Sequence, residues 1–215
     1  MESILTQIYS DVLLGHHKDI VKNVKSALHQ NIAPIVIMND GMISAMSEVG
    51  RLFESGEYYI PEMLVAARAM QAGMNILKPK LSDLEAHPTG KLAIGTVKGD
   101  IHDIGKNLVK MMLEGSGFEV IDLGVDVSPE KFISAVSEQQ VDILGMSALI
   151  TTTMPAMRPV IELLEETGLR QKVKVLVGGA PLTDEFAHQI GADGYAPDAV
   201  RAVTVAKRLL TNKQI

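Results

Sequence analysis

A change of hydrophobic period near residue 91 is the feature that most constrains the fold of this chain. Before it, apolar residues recur at helical spacing, whereas beyond it short apolar runs alternate with helical stretches. The runs begin near Leu92, Phe118, Val141, Val173 and Gly194, and the helical stretches cover residues 106–115, 129–139, 154–168, 183–190 and 198–211. Strands that alternate with helices form a parallel sheet covered on both faces. We therefore predict a doubly wound α/β domain of the Rossmann or flavodoxin-like type, with five strands, over residues 91–215.

Residues 1–82 contain four apolar stripes in which residues are spaced by three and four. Such stripes are typical of amphipathic helices, and the short links between them favour a small four-helix bundle. The pattern lapses over residues 83–90, which are polar and include Pro88 and Gly90. We interpret this stretch as a linker between a helical domain and the α/β domain.

The composition excludes several classes of protein. A net charge of -6 without a run of Lys and Arg argues against a nucleic-acid-binding surface. No stretch approaches the roughly 20 apolar residues of a membrane span, and the N-terminus lacks a signal peptide, so we expect a cytoplasmic protein. The absence of cysteine rules out disulfides and thiolate metal sites, so that a metal would be held by His, carboxylate or a cofactor ring.

The loop Gly99-Asp-Ile-His-Asp-Ile-Gly105 follows the first predicted strand. Ligands of doubly wound domains bind at the carboxyl ends of the strands, where this loop lies. His102 offers a nitrogen to a metal or a proton, and Asp100 can accept a hydrogen bond from its other nitrogen and so fix the tautomer. Gly105 permits close approach of a ligand. The alternative is an ordinary polar loop in which Asp103 caps the following helix.

Two other strand ends carry unusual residues. A hydroxyl-rich loop, Ser147–Thr153, follows the third strand, and the pair Gly178-Gly179 follows the fourth. The first turn has too few glycines and too many acids for a dinucleotide, and the third strand ends in Ser147 where a phospho-receiver domain needs Asp. Hydroxyls, paired glycines and a histidine at one edge instead suit a long ligand that threads between the loops.

The link between the third and fourth predicted helices is apolar. Gly56 can end one helix and Pro61 can begin the next, which would place Tyr58, Tyr59 and Ile60 on a turn. These side chains suit a lid over a flat apolar ligand. They could equally seal the end of the bundle.

The spacing Asp100-x-His102-x-x-Gly105, with Ser147-x-Leu149 and Gly178-Gly179, resembles the corrinoid-binding signature of the cobalamin-dependent methyltransferase family, which includes the cobalamin module of methionine synthase. Residues 49–56, 60–62 and 66–70 are similar to the helical cap of that family. The resemblance covers about residues 3–210. It is strongest to the free-standing corrinoid proteins of methylamine, methanol and methoxy-aromatic methyltransferase systems.

The resemblance implies cobalamin or a related corrinoid as the cofactor, with His102 as the lower axial ligand of cobalt. Asp100 would hold the His102 ring, and Thr153 would continue the hydrogen-bond relay where the family often has Ser. Thr153 keeps the hydroxyl of that Ser and adds a methyl group. The implied cofactor contacts are Gly99, Asp100, Ile101, His102, Asp103, Ile104, Gly105, Ser147, Leu149, Thr151, Thr153, Gly178 and Gly179 around the nucleotide tail and lower face, with Phe53 and Ile60 over the upper face.

The same resemblance implies a methyl carrier rather than an enzyme complete in itself. Its partners would be a substrate:corrinoid methyltransferase, a methyl-corrinoid:tetrahydrofolate or coenzyme M methyltransferase, and a reductive activator of cobalt(II). The lower ligand must leave and return as cobalt changes oxidation state, and a His paired with Asp100 can do so by taking up and releasing a proton. Access to the cofactor predicts a swing of residues 1–82 about the linker 83–90.

Three alternatives stay open at this point. A corrinoid-binding sensor or regulator, or a mutase-type corrinoid subunit, would share the His102 loop and would prefer adenosylcobalamin. A hydrolase could instead bind a divalent metal through Asp100, His102 and Asp103. The remaining histidines lack ligand spacing, and we expect them at the surface: His16, His17, His29, His87 and His188.

Overall fold

The computed structural model describes residues 3–81 and 88–211, and the chain divides into two compact units. One unit comprises Met1–Pro88 with Glu114–Gly117, and the other comprises Thr89–Leu113 with Phe118–Ile215. Residues 83–87 of the predicted linker lie outside the described residues, and so does the predicted hinge there. Within the described ranges, no helix combines the length and the hydropathy that crossing a bilayer requires.

The first unit is helical, as predicted. Its elements are α1 (Ile4–Leu13), α2 (His17–His29), α3 (Pro34–Val36), a π-helical segment (Ile37–Ile43), α4 (Ser44–Glu54), α5 (Ile60–Leu77) and a 3-10 turn (Lys78–Lys80). Because α3, the π segment and α4 run on without a break, they correspond to the third predicted helix. Local signals set the helix starts: the Ser3 hydroxyl accepts the Thr6 amide at 3.2 Å, and Pro34 opens the third helix.

The π segment is a departure from the predicted helix. The amide of Ser44 bonds the carbonyl of Asn39, five residues back. The extra residue in this turn changes which side chains face the core. Ile37 is fully buried, whereas Ile35 and Met38 are only partly buried. The spacing of apolar residues cannot reveal such an insertion, because it assumes a constant number of residues per helical turn.

The second unit is built on a five-stranded parallel sheet, which confirms the predicted fold class. The strands are β1 (Lys91–Val97), β2 (Glu119–Val127), β3 (Ile143–Ser147), β4 (Lys174–Gly178) and β5 (Gly194–Ala196), in the order β2-β1-β3-β4-β5. Strand β2 lies on one side of β1, and β3 lies on the other side. The crevice between the ends of β1 and β3 is therefore the switch point at which ligands of such sheets bind.

Helices cover both faces of the sheet. They are α6 (Ile104–Gly115) and α10 (Ala199–Thr211) on one face, and α7 (Pro129–Gln139), α8 (Met157–Glu166) and α9 (Asp184–Ile190) on the other, with a 3-10 turn (Met154–Ala156) before α8. In β1, Leu92 and Ile94 belong to the core of the first face, whereas Ala93 and Val97 belong to that of the second. A central parallel strand is apolar on both sides for this reason.

Candidate functional site

His102 lies between β1 and α6 and is held at its backbone and its ring. Its amide donates to Oδ1 of Asp100 at 3.0 Å, and its Nδ1 lies 2.7 Å from the same oxygen. Its carbonyl accepts a hydrogen bond from the hydroxyl of Thr96, a fully buried residue of β1, at 2.9 Å. The side chain of His102 is nevertheless 47% exposed. The loop thus fixes the histidine while leaving its ring accessible.

Asp100 is buried and accepts hydrogen bonds on both carboxylate oxygens. Besides the two from His102 on Oδ1, Oδ2 accepts the Leu149 amide at 2.8 Å and the Thr153 hydroxyl at 2.7 Å. Burial alone would raise the pKa of Asp100, but the amides of His102 and Leu149, the Thr153 hydroxyl and the His102 ring together hold that pKa well below its usual range. The group is therefore an anion that can only accept.

The ionised Asp100 decides the tautomer of the His102 ring. Because the carboxylate accepts, Nδ1 of His102 must carry the hydrogen that it donates over 2.7 Å. In the neutral ring this leaves the lone pair on Nε2, which is the atom available to a metal. The structure thus brings Asp100, His102 and Thr153, three predicted site residues, into one hydrogen-bonded chain.

The loops that follow β3 and β4 pack closely against each other. Gly178 accepts the Ala148 amide at 3.2 Å, and Gly179 has a φ of 137°. A Cβ on Gly179 would lie 1.9 Å from the Ala148 carbonyl oxygen. The paired glycines therefore allow the backbone of the β3 loop to pack closely against them. Their contact with a ligand stays a prediction. Ser147, the last residue of β3, is half-buried, whereas Thr151 in the following loop is exposed.

Asp103 and Gly105 differ from each other in their surroundings. Asp103 accepts the Asn107 amide on its carbonyl at 2.7 Å, which is the first hydrogen bond of α6, and the Asn107 side chain on Oδ2 at 2.9 Å. Gly105 faces open space, since a Cβ placed on it would have no atom within 4 Å other than those of its chain neighbours and of the backbone of its own helix. A ligand could therefore approach the loop at Gly105.

The hydrolase alternative requires three side chains that converge on one divalent metal ion. Within residues 3–81 and 88–211, the residues whose ligand atoms converge to within 4.8 Å are Asp11, His16 and Asp19. Asp100, His102 and Asp103 do not form such a cluster, and the structure lends the divalent-metal alternative no support. His16 is exposed, as expected, but the expectation that it lacks ligand spacing was wrong, because the end of α1 and the start of α2 bring it near two carboxylates.

Exposed apolar side chains surround the His102 loop. Ile101 is 74% exposed and Ile104 is 87% exposed, which is unusual for isoleucine. Leu149 and Ile150 from the β3 loop and Val125 from the end of β2 are exposed as well. Apolar side chains gathered at the carboxyl edge of a sheet indicate a surface that an apolar ligand covers. Val125 and Ile150 were missed by the sequence analysis, because single apolar residues in loops carry no periodic signal.

The link between α4 and α5 belongs to the helical unit. Ile60 does not lie on a turn as expected but is the first residue of α5, because Pro61 occupies the first turn of that helix. Tyr58 is half-buried and donates its hydroxyl to the Leu13 carbonyl at 3.2 Å, so it seals the end of the bundle. Tyr59 and Ile60 are exposed, and Phe53, near the end of α4, is half-buried.

Comparisons with known proteins point to one family. Residues 90–204 match a family model described as B12 binding domain, and residues 4–78 match a second model of that description. The dimethylamine corrinoid protein 2 of Methanosarcina acetivorans is 44% identical over 210 residues, which are 97% of each chain. A cobalamin-binding protein from Desulfitobacterium hafniense has a TM-score of 0.80 at 33% identity, and covers 95% of this chain and 98% of its own. The methanol:cobalamin methyltransferase complex of Methanosarcina barkeri has a TM-score of 0.87 at 30% identity, with 97% and 80% covered.

Proposed function

This chain belongs to the family of free-standing corrinoid proteins built on B12 binding domains, and we propose that it carries a methyl group on a bound corrinoid between two methyltransferases. When bound, cobalamin or a related corrinoid supplies a cobalt centre that accepts and releases the methyl group. The single observation that carries the proposal is the buried Asp100 carboxylate, which orients the exposed His102 ring at the switch point of the sheet.

The residues at this edge fit a corrinoid. Nε2 of His102 would bind the cobalt of such a cofactor, and the exposed Ile101 and Ile104 would offer apolar surface to its macrocycle. Asp100 stabilises the ring whether it is neutral or protonated, since Nδ1 donates to it in both forms. Thr153 donates to Asp100 and so extends the chain of hydrogen bonds that orients the His102 ring. We also propose that Phe53 and Ile60 of the helical unit contact the bound corrinoid.

The names of the relatives suggest the partners. Several similar proteins are dimethylamine corrinoid proteins, and one similar structure is a complex of methanol:cobalamin methyltransferase. The first partner is accordingly a substrate:corrinoid methyltransferase that uses a small methylated amine or alcohol. The second partner transfers the methyl group to tetrahydrofolate or coenzyme M, and a third protein reduces cobalt(II) when the centre becomes oxidised.

Loading with hydroxocobalamin under anaerobic conditions tests the binding mode. The proteins compared are wild type, His102→Ala and, as a matched control, His188→Ala, which changes an exposed histidine of the same unit. We expect wild type and the control to retain a corrinoid whose visible spectrum shows the cofactor's own base displaced, and His102→Ala to lose that spectrum. Failure of wild type to retain corrinoid, or identical spectra for His102→Ala and wild type, would refute the axial role.

A second measurement separates the methyl carrier from the other corrinoid proteins. The loaded and reduced protein is mixed with dimethylamine and a dimethylamine methyltransferase, and the visible spectrum reports methyl transfer to the bound corrinoid. The carrier function predicts transfer that depends on both the donor and the methyltransferase. Preferential binding of adenosylcobalamin over methylcobalamin, without transfer, would instead favour a sensor or a mutase-type subunit.

A further inference from the structure

Strand β2 ends in a bulge directly beside the His102 loop. Gly95 of β1 pairs with Gly124 of β2, but Val97 pairs with Val127, so β2 contains one residue more than β1 over this interval. Asp126 lies in the bulge with a φ of 51°, a left-handed conformation that Asp adopts more readily than most residues. Bulges of this kind redirect a side chain at the edge of a site. Here the redirected side chain is the carboxylate of Asp126.

Asp126 makes three contacts with the turn that precedes His102. Its Oδ1 accepts the Gly99 amide at 2.8 Å, its Oδ2 accepts the Lys98 ammonium at 3.0 Å, and its own amide donates to the Asp100 carbonyl at 2.9 Å. The Gly99 amide and the Lys98 ammonium lower the pKa of Asp126, which keeps it a carboxylate at neutral pH. The end of β2 therefore holds three consecutive residues of the loop.

The contacts of Asp126 complement those of the β3 loop. Strand β1 lies between β2 and β3, so Asp100 is held through its carbonyl from the β2 side and through its carboxylate from the β3 side. Gly99 has a φ of 82° and provides a flexible joint between these two anchors. The peptide that joins Gly99 and Asp100 is also held to β1, because the Asp100 amide donates to the Val97 carbonyl at 3.1 Å. Loss of the Asp126 side chain would release the Gly99 amide and the Lys98 ammonium, so that the turn that carries Asp100 and the His102 ring would be held less firmly.

We propose that Asp126 is a positioning residue, which holds the Lys98-Gly99-Asp100 turn so that His102 presents Nε2 to the metal of the ligand. The inference rests on the proposed function, because the ring that Asp126 aligns is the proposed axial ligand. Asp126 acts indirectly. It holds Gly99 and Asp100, and Asp100 in turn holds the His102 ring. The signal in the sequence is an acid at the end of a strand, which alone does not reveal its partner on a neighbouring strand.

Two variants of Asp126 and one control test the proposal. Asp126→Asn keeps an acceptor for the Gly99 amide but loses the charge, and Asp126→Gly keeps the left-handed backbone but loses both side-chain acceptors. Asp193→Gly is the matched control, because Asp193 accepts the Val175 amide at 2.7 Å and pairs with Arg170 at 2.9 Å at the opposite end of the sheet. It removes a similar set of contacts away from the loop.

Hydrogen exchange of the unliganded proteins is the first readout. We expect the amides of residues 99–102 to exchange about tenfold faster in Asp126→Gly than in wild type, with a smaller increase in Asp126→Asn and none in the control. The second readout is the His102-dependent visible spectrum after loading with hydroxocobalamin. We expect the fraction of bound corrinoid with this spectrum to be lower in Asp126→Gly than in wild type and to be intermediate between these two in Asp126→Asn. In Asp193→Gly this fraction should equal that of wild type.

The outcomes separate the two proposals. If wild type shows the His102-dependent spectrum and Asp126→Gly shows it equally, the positioning role is refuted and the proposed function stands. Unchanged exchange of residues 99–102 in Asp126→Gly refutes the role as well. If wild type itself shows no such spectrum, the axial function of His102 fails and the role of Asp126 fails with it.

Discussion

The hydroxyl of Thr153 donates a hydrogen bond to Oδ2 of Asp100 over 2.7 Å, although the two lie 53 positions apart in the chain. The Leu149 amide donates to the same oxygen, while His102 donates to the other. One buried carboxylate therefore joins the loop after β1 to the loop after β3. A change at Thr153 must act on Asp100, and through Asp100 on the orientation of the His102 ring.

Replacement of Thr153 by Val should weaken this connection. Valine keeps the shape of threonine but cannot donate to Asp100, so the free energy of unfolding should fall by about 1–2 kcal/mol. The lost donor also raises the pKa of Asp100 toward its usual range. Urea unfolding of the unliganded protein measures the cost, and Thr153→Ser, which keeps the hydroxyl, serves as the control. Equal stabilities for the Val and Ser variants would show that the hydrogen bond contributes nothing.

Replacement of Gly105 by Ala should separate stability from binding. The added Cβ meets no atom within 4 Å beyond its chain neighbours and the backbone of its own helix, and Ala is favoured over Gly in a helix by up to about 1 kcal/mol. The unliganded variant should therefore be at least as stable as wild type. If a corrinoid lies against Gly105, the same methyl group costs about 1–3 kcal/mol of binding, or roughly tenfold or more in affinity. Urea unfolding and titration with hydroxocobalamin measure the two effects. Unchanged affinity would place the ligand away from Gly105.

Replacement of Gly179 by Ala should have the opposite effect on stability. A Cβ there would lie 1.9 Å from the Ala148 carbonyl oxygen, and the φ of 137° is unfavourable for alanine. We expect the unliganded protein to lose at least about 2 kcal/mol of unfolding free energy. Thermal unfolding in the absence of corrinoid checks this. Wild-type stability would contradict the close packing of the β3 and β4 loops.

The layout of the α/β unit was predictable because its signals are local. Runs such as Lys91–Val97 are mostly apolar, and residues such as Pro129 mark helix starts, so periodicity and these local start signals located the strands and helices. The pairing of Asp100 with His102 was also foreseeable, since only one residue separates them in the loop. These features depend on the order of side chains within a short segment.

The missed features depend on contacts between distant segments. Asp126 meets Gly99 only because β1 and β2 pair side by side with a bulge, and no spacing in the sequence encodes that bulge. The π segment is similar: Gly41 lies so close to α1 that a Cβ there would be 2.8 Å from Ile8. The π segment therefore lies where this helix packs closely against α1. The sequence of the helix alone does not show that contact.

Lys106 and Asp122 form an ion pair that links α6 to β2 just beyond the His102 loop. Their Nζ and Oδ1 atoms are 2.5 Å apart, and the Lys106 side chain is almost fully buried. Burial tends to raise the pKa of Asp122, but the hydrogen bonds from Lys106 and from the Gly124 amide outweigh it, and the net pKa is lowered. A lowered carboxyl pKa means that the folded state binds the proton less tightly than the unfolded chain does.

The ion pair therefore contributes stability that is present above the ordinary carboxyl pKa and is lost as the pH falls through the lowered value. Asp122→Asn leaves the buried Lys106 ammonium without its anion and should cost about 2–4 kcal/mol at pH 7. The difference from wild type should shrink on acidification, and urea unfolding at a series of pH values measures it. Adding Lys106→Met should recover part of the loss, because no buried charge then remains unpaired. A pH-independent difference, or a double variant less stable than Asp122→Asn, would show that the pair does not act through charge.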